Sequence, residues 1–268
     1  MSLQNILSKK NRALLRELVV TDFKLRYQGS ALGYAWSLLR PLLLFLILYI
    51  VFVRFLKLGA GVPHYPIYLL LGIVMWNFFS EMTSLSLSSI VVRGDLIRKI
   101  RIPRWIIVLS SSVTALINFG LNLIVVGVFM AFNHVPIGHG VLLVPLILVQ
   151  LYLFALGISL ILATAFVKYR DVSYIWEVVL QAGFYITPIL YPLTRITNHT
   201  FQQLIVLNPV ATAIQDARYA LVTRESITIH SLLPHSIYSF APYFITVLAL
   251  LAGVLYFKRN ATYFAEDL

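Results

Sequence analysis

Six long apolar runs, separated by short polar or turn-forming stretches, dominate the pattern of the chain. They lie at about residues 32–57, 65–90, 105–132, 141–166, 173–191 and 237–257. A transmembrane helix needs about 20 predominantly apolar residues. The runs are too long and continuous for barrel strands, and an open sheet cannot satisfy its backbone groups in lipid. The pattern therefore predicts an all-α integral membrane protein with six transmembrane helices, in one membrane domain over residues 32–268.

The composition and the charge distribution agree with this interpretation. The 268 residues are 60% hydrophobic and 12% charged, whereas a soluble domain carries about 25% charged residues. The net charge of +11 therefore reports membrane orientation, and no nucleic acid partner is expected. Connections on one predicted side carry fifteen of the 21 lysines and arginines, against five on the other. The positive-inside rule then predicts a multi-pass protein with both termini in the cytoplasm.

The first 31 residues are polar and basic, and they predict a separate cytoplasmic element. Aliphatic residues recur there at helical spacing: Leu3, Ile6, Leu7, Leu14 and Leu18. Cations stand between them: Lys9, Lys10, Arg12 and Arg16. Such a helix would lie in the membrane interface, with its cations on anionic lipid headgroups. The alternative is an ordinary basic flank that only fixes orientation.

Residues 192–236, between the fifth and sixth runs, are neither a span nor an ordinary loop. Asn208 is suited to an N-cap, and Pro209 to the first position of a helix. Asp216 and Arg218 interrupt the apolar pattern that follows. We therefore expect short re-entrant helices that dip into, or lie on, the outer leaflet. The alternative is a small outer cap with no role in transport.

Motifs of catalysis and of ATP binding are missing from the sequence. There is no Gly-x-x-x-x-Gly-Lys-Ser/Thr loop, His-Glu-x-x-His or Gly-x-Ser-x-Gly, the motifs expected of P-loop ATPases, zinc proteases and serine hydrolases. The chain has no cysteine, and its six histidines are scattered through the outer connections, so no metal site is predicted. One well-embedded carboxylate is thin support for an ion-coupled carrier. We predict a transport subunit that is not an enzyme and binds no cofactor itself.

Two ionisable residues lie well inside predicted spans, and such residues are functional candidates. Arg40 and Glu81 stand about eight and nine residues from the cytoplasmic ends of the first two spans. Antiparallel neighbours would bring them to a similar depth, so the sequence predicts an ion pair. The alternative is that Arg40 reaches the headgroups while Glu81 bonds to nearby hydroxyls. The hydroxyl-rich stretch SEMTSLSLSS around Glu81 either packs against helices or faces a hydrated path.

The stretch VVRGDLIRKIRIPRW, residues 91–105, is a short basic turn between two spans. Isoleucines alternate with cations in it, and Pro103 ends any helix before Trp105. This pattern is typical of a short cytoplasmic helix that presents apolar and basic groups to a protein surface. Attraction of the cations to anionic lipid is the alternative.

Several motifs, in order along nearly the whole chain, resemble the membrane subunits of ABC exporters for polysaccharides and polyol phosphates. The first leads into the first span: Arg26, Tyr27, Gly29, Ser30, Leu32, Gly33, Trp36, Ser37, Leu38, Pro41 and Leu42. The basic turn is similar to another: Asp95, Leu96, Ile97, Lys99, Pro103 and Arg104. YRDV, TPILYPL and LNPV follow in the family's order, and the tail YFKRNATYFAEDL also fits.

The resemblance implies a partner and a mechanism. Such subunits form homodimers in the cytoplasmic (inner) membrane of bacteria, with two copies of a separate ATPase subunit that holds ATP and Mg. Residues 93–104 would then be the coupling loop: Arg93, Asp95, Leu96, Ile97, Arg98, Lys99, Arg101, Pro103 and Arg104. Residues 192–236 would form an extracytoplasmic gate that includes Asn208, Pro209, Asp216 and Arg218.

The resemblance also implies the cargo, an undecaprenyl-diphosphate-linked glycan such as O-antigen or capsule, or a teichoic-acid-like polymer. Four aromatic residues are candidates for stacking on its sugars or, alternatively, for membrane-interface belts: Tyr34, Trp36, Tyr185 and Tyr191. Arg40 stands where many relatives carry a neutral residue, which leaves open whether it meets the lipid diphosphate or Glu81. A permease of the same architecture for a drug, haem or a simple lipid is the alternative function.

Overall fold

The computed structural model describes residues 8–27, 32–57, 59, 61–99, 102–136, 138–234 and 236–264. Several residues of the sequence predictions lie outside these ranges: Leu3, Ile6, Leu7, Gly29, Ser30 and Arg101. Within them the regular structure is helical, and no strand is present.

Eleven α-helices, numbered here in chain order, occupy the described ranges. They are α1 (Lys9–Tyr27), α2 (Trp36–Leu48), α3 (Tyr65–Val92), α4 (Gly94–Lys99), α5 (Trp105–Phe132), α6 (Val144–Lys168), α7 (Val172–Ile186), α8 (His199–Val206), α9 (Pro209–Leu221), α10 (Ile229–Leu232) and α11 (Ala241–Asn260). A π-helix, Tyr49–Phe55, continues α2, and 3-10 turns precede α2, α6 and α11.

Five helical segments are long and apolar enough to cross a membrane: Trp36–Phe55, Tyr65–Val92, Trp105–Phe132, His139–Lys168 and Ile237–Asn260. They confirm the prediction of an all-α integral membrane protein. The fifth predicted span, 173–191, is shorter than expected, because α7 ends at Ile186 after 15 residues. At 1.5 Å per residue it is about 22 Å long, against about 30 Å of hydrocarbon. The helix ends because Thr187, which precedes a proline, has the extended backbone that such residues prefer. A membrane-spanning helix over 173–191, which would bring the number of spans to six, therefore stays a prediction.

Helix α3 is the central helix of the bundle. It packs against α5, α6, α7 and α9, and most of its side chains are buried. The hydroxyl-rich stretch is divided between two environments. Thr83 is buried and accepts a hydrogen bond from Trp176 Nε1 at 3.1 Å, whereas Ser80 and Ser84 line a cleft. One face of the stretch is therefore packed against neighbouring helices, and another face lines the cleft.

Helices α6 and α11 cross at two glycines. A Cβ at Gly157 would lie 2.6 Å from the backbone of Ala249, and one at Gly253 would collide with the carbonyl oxygen of Gly157. Only glycine therefore lets the two backbones come this close, as small residues do at helix contacts in membranes.

Helix α1 has the two-sided pattern that the sequence predicts. Leu14, Leu15 and Leu18 are partly covered and Val19 is buried, whereas Lys9, Lys10, Arg12 and Arg16 are exposed. The helix extends to Tyr27, beyond the predicted stretch, and packs against α5. Its placement in the membrane interface stays a prediction.

Replacing Gly253 with alanine should destabilise the bundle. The added methyl group meets the α6 backbone, and overpacking of this kind costs about 1–3 kcal/mol. Thermal unfolding of the detergent-solubilised protein, followed by size-exclusion chromatography, measures the effect. Gly127→Ala is the matched control, because a Cβ there meets no atom within 4 Å. Equal melting of the two variants would contradict the close crossing.

Candidate functional site

A polar cleft with a volume of about 840 Å³ lies between α2, α3 and α5. Its polar lining comes from all three helices: Ser37, Arg40, Asn77, Ser80, Glu81, Ser84, Asn118 and Asn122. The rings of Phe78 and Phe119 form part of the wall and stack with centroids 4.4 Å apart. All three helices are candidate spans. Polar residues at such depth mark substrate or ion paths and bundle interiors.

A hydrogen-bond network crosses the cleft from α3 to α2. Asn118 Nδ2 donates to Glu81 Oε1 at 2.7 Å. Asn122 Nδ2 donates to the backbone carbonyl of Ser37 at 3.3 Å and to that of Asn118 at 2.8 Å. The Ser37 carbonyl lacks its usual helical donor four residues on, because Pro41 has no N–H. The proline therefore creates the acceptor that ties α2 to α5.

Arg40 and Glu81 line the same cleft, but within the described ranges no ion pair joins them. Arg40 is exposed, while Glu81 accepts from Asn118. Helix α2 begins at Trp36, four residues before Arg40, and Glu81 is eleven residues from the end of α3. The ion pair between Arg40 and Glu81 stays a prediction.

The four candidate aromatic residues fall in different places. Trp36 lines the cleft and is 44% exposed. Tyr185 is exposed on α7, and the hydroxyl of Tyr191 donates to the carbonyls of Tyr185 and Ile186 at 3.2 and 2.9 Å. Tyr34 belongs to the 3-10 turn Gly33–Ala35. Tyr191 therefore caps α7, and a role of the four aromatic residues in the pathway stays a prediction.

Helix α4, in the basic turn, has a buried and an exposed side. Ile97 is in a buried cluster with Ile90 of α3, Phe257 of α11 and Phe264, which follows α11. Asp95, Arg98 and Lys99 are exposed, with the acid in the first turn and the bases in the last, which suits the helix dipole. The predicted docking residues that follow, Pro103 and Arg104, are partly covered.

An ion pair joins the basic turn to α1. The guanidinium of Arg93, the residue between α3 and α4, contacts the carboxylate of Asp22. Arg93 and Asp22 are 15% and 25% exposed, so the pair is better protected than an ordinary surface pair. Arg93, predicted as a docking residue, holds α1 against the start of the turn.

The segment between α7 and α11 contains the predicted short helices α8, α9 and α10. Asn208 is the N-cap of α9, its side chain accepting from Val210 N at 2.9 Å, and Pro209 takes the first position, as predicted. Arg218 on α9 is fully buried, which the sequence did not reveal.

The buried guanidinium of Arg218 holds three elements together. It donates to the carbonyls of Tyr68, Pro188 and Ile189 and to the amide oxygen of Gln215. Its carbon lies 3.5 Å from the centre of the Tyr68 ring, a cation–π contact. The guanidinium therefore supplies donors to the carbonyls of Pro188 and Ile189, in the turn that follows α7. It also connects this turn to α3.

Gly72 of α3 leaves room for this arginine. A Cβ at Gly72 would collide with the guanidinium. The sequence gives a weak signal of the contact between Arg218 and Gly72. It shows a glycine inside an apolar span, an arginine in an apolar pattern and the TPIL turn, but not which of these residues meet.

The comparison with known proteins decides the family. Residues 13–222 match the family model described as ABC-2 type transporter. The chain belongs to the ABC-2 transporter family. The match begins in α1 and ends just after α9, so it covers the cleft, α4 and Arg218.

Curated relatives agree with this family. The chain is 36% identical to the "O-antigen export system permease protein RfbA" of Myxococcus xanthus, over 74% of this chain and 76% of the relative. It is 32% identical to a protein of the same name from Klebsiella pneumoniae, over 78% and 82% of the two chains. A second Klebsiella pneumoniae protein of that name is 31% identical, over 77% and 80%.

Replacing Arg218 with methionine in this ABC-2 transporter chain should lower the free energy of unfolding by about 2–4 kcal/mol, because several buried carbonyls lose their donors. Thermal unfolding in detergent measures it. Arg195→Met, at an exposed arginine of the same segment, is the control and should melt as the wild type does. An unchanged melting temperature of Arg218→Met would contradict a stabilising role of the Arg218 contacts.

Asp216 on α9 predicts a pH dependence. Burial raises the pKa of its carboxyl from about 3.8 to about 6, against the opposing effect of the hydrogen bond from Tyr243. The folded state thus keeps a proton that the unfolded state releases, so stability should fall as the pH rises from about 4 to about 6. Asp216→Asn should remove this fall and unfold at a higher temperature than wild type at pH 7. Glu225→Gln, at an exposed carboxylate, is the control, and parallel pH profiles for wild type and Asp216→Asn would contradict the effect.

Proposed function

We propose that the chain is the permease subunit of an ATP-driven exporter that moves polysaccharide across a membrane. The observation that carries this proposal is the similarity to O-antigen export permeases over about three quarters of the chain. These relatives favour a glycan over the alternative cargo, a drug, haem or a simple lipid. Transport, rather than catalysis, is the role that follows.

The proposed cargo is an undecaprenyl-diphosphate-linked polymer, of the O-antigen, capsule or teichoic-acid type. A lipid-linked polymer needs a route that accepts polar sugars within an apolar layer. The polar cleft between α2, α3 and α5, with its carboxamides and hydroxyls, supports such a route.

The proposed motor is a separate ATPase subunit with its own ATP and Mg, present in two copies. The sequence has no P-loop, so energy must come from a partner. Helix α4 suits docking of that partner, since Ile97 anchors it to the bundle while Asp95, Arg98 and Lys99 project from the surface. Both termini and this helix would lie on the cytoplasmic side of a bacterial inner membrane.

A homodimer is the proposed assembly. Helix α7 has no buried residue, and Tyr174, Ile175 and Val178 on it are more than 60% exposed. A second copy that faces this helix would enclose a route wider than one chain offers. The helices α8 to α10 would then form the extracytoplasmic gate, which Arg218 holds against α3.

Reversing the charge of Arg98 and Lys99 should weaken co-purification of the ATPase by about tenfold or more, since like-charge contacts oppose docking. Quantitative pull-down of the tagged chain from native membranes measures the loss. The double variant Lys258→Glu and Arg259→Glu, at exposed cations on the same predicted side, is the control for net charge and membrane insertion. If both double variants retained the ATPase equally, α4 would not be the docking element.

A further inference from the structure

The polar cleft combines an exposed cation with buried acceptors, and this combination points to a ligand. Its volume of about 840 Å³ falls in the range of about 300–1,000 Å³ that is typical of small-molecule sites. We propose that the cleft binds the glycosyl-phosphate headgroup of an amphiphile, with Arg40 on the phosphate and the cleft amides on sugar hydroxyls. This inference rests on the proposed function, and it names the part of the cargo that the chain itself recognises.

Arg40 supplies the phosphate contact. Its side chain is exposed at the cleft, and within the described ranges it has neither an ion pair nor a hydrogen bond. An intramembrane cation is costly and marks a functional site by default. A guanidinium offers a planar array of donors that matches phosphate oxygens. Trp36, one turn before Arg40, also lines the cleft and can cover one face of a headgroup.

The acceptors for sugar hydroxyls come from α3 and α5. Asn118 is 2% exposed, and its Oδ1 has no hydrogen-bond partner among the described residues, while its Nδ2 is committed to Glu81. A buried acceptor without a donor is destabilising. A bound hydroxyl would supply the donor. Asn77 adds a second amide, half-buried and without a hydrogen bond in the described structure.

The surroundings suit an amphiphile rather than a free sugar. Ile47 of α2 lines the cleft and is 59% exposed. A lipid tail can lie along this aliphatic face while the headgroup enters the cleft sideways. The phosphate could belong to the polyprenyl carrier of the cargo or to a bulk phospholipid, and only the former brings a sugar.

The test measures equilibrium binding of radiolabelled lipids to the purified full chain in nanodiscs. The probes are undecaprenyl-diphosphate-N-acetylglucosamine, undecaprenyl diphosphate, undecaprenol and phosphatidylglycerol. Wild type should bind the sugar-bearing diphosphate most tightly and undecaprenyl diphosphate next, with phosphatidylglycerol and undecaprenol far weaker. Arg40→Gln should weaken both diphosphate lipids by about tenfold or more, as expected for loss of a charge-assisted hydrogen bond. Arg40→Lys should recover part of the affinity.

Two further variants separate the sugar contact from the phosphate contact. Asn77→Ala should weaken only the sugar-bearing lipid, and Asn118→Leu should do the same if it keeps the wild-type melting temperature. Arg54→Gln, at an exposed arginine in the π-helix that continues α2, is the matched control and should bind every lipid as wild type does.

Three outcomes overturn the inference. Arg40→Gln binds the diphosphate lipids as wild type does, or it loses affinity for phosphatidylglycerol as much as for the diphosphate lipids, or wild type binds undecaprenol as tightly as the diphosphate lipids. Unchanged binding of the sugar-bearing lipid by Asn77→Ala overturns the sugar contact. The assay needs no ATPase and no transport, so its failure is distinct from failure of the proposed export. Export is scored separately, by glycan delivery to the cell surface with the wild-type chain.

Discussion

Polar groups that lie between apolar helices must find partners within the protein, because hydrocarbon offers none. Arg218 obeys this constraint most completely. Its guanidinium takes carbonyls from α3 and from the turn after α7, together with one amide oxygen and the face of Tyr68. No carboxylate faces it among these partners, so dipoles and a ring stabilise the charge. The position of α9, and with it the outer segment, depends on this contact.

The same constraint separates structural polar groups from those that can bind. Thr83 and Asn122 have hydrogen-bond partners in the protein, and both contacts join neighbouring helices. Arg40 and the Oδ1 of Asn118 have no such partner among the described residues, and both residues line one cleft. Unsatisfied groups are few in a stable fold. An exposed cation and a buried acceptor without a donor meet at this cleft, which makes it a candidate for a ligand.

The sequence predicts most of the architecture, since long apolar runs, N-caps and charge counts are local signals. Asn208 and Pro209 were placed correctly for this reason. The start of α2 at Trp36 was not, because it follows a 3-10 turn that hydrophobicity does not show. The burial of Arg218 was missed for a different reason. It requires Gly72, 146 residues earlier in the chain, to face α9, and single-sequence patterns carry no information on such distant pairs.

The proposed docking helix, α4, and the central helix α3 are nearly continuous. Only Arg93 separates α3 from α4. The ion pair between Arg93 and Asp22 connects α1 to the same point. Ile97 belongs to the same buried cluster as Phe257 of α11, so both helices contribute to one core at this end of the bundle. Because α3 is buried among α5, α6, α7 and α9, and close-packed interiors transmit strain, a push on α4 would reach the cleft on one side of α3 and the Arg218 contact on the other. One short helix is therefore linked through α3 to both the cleft and the Arg218 contact.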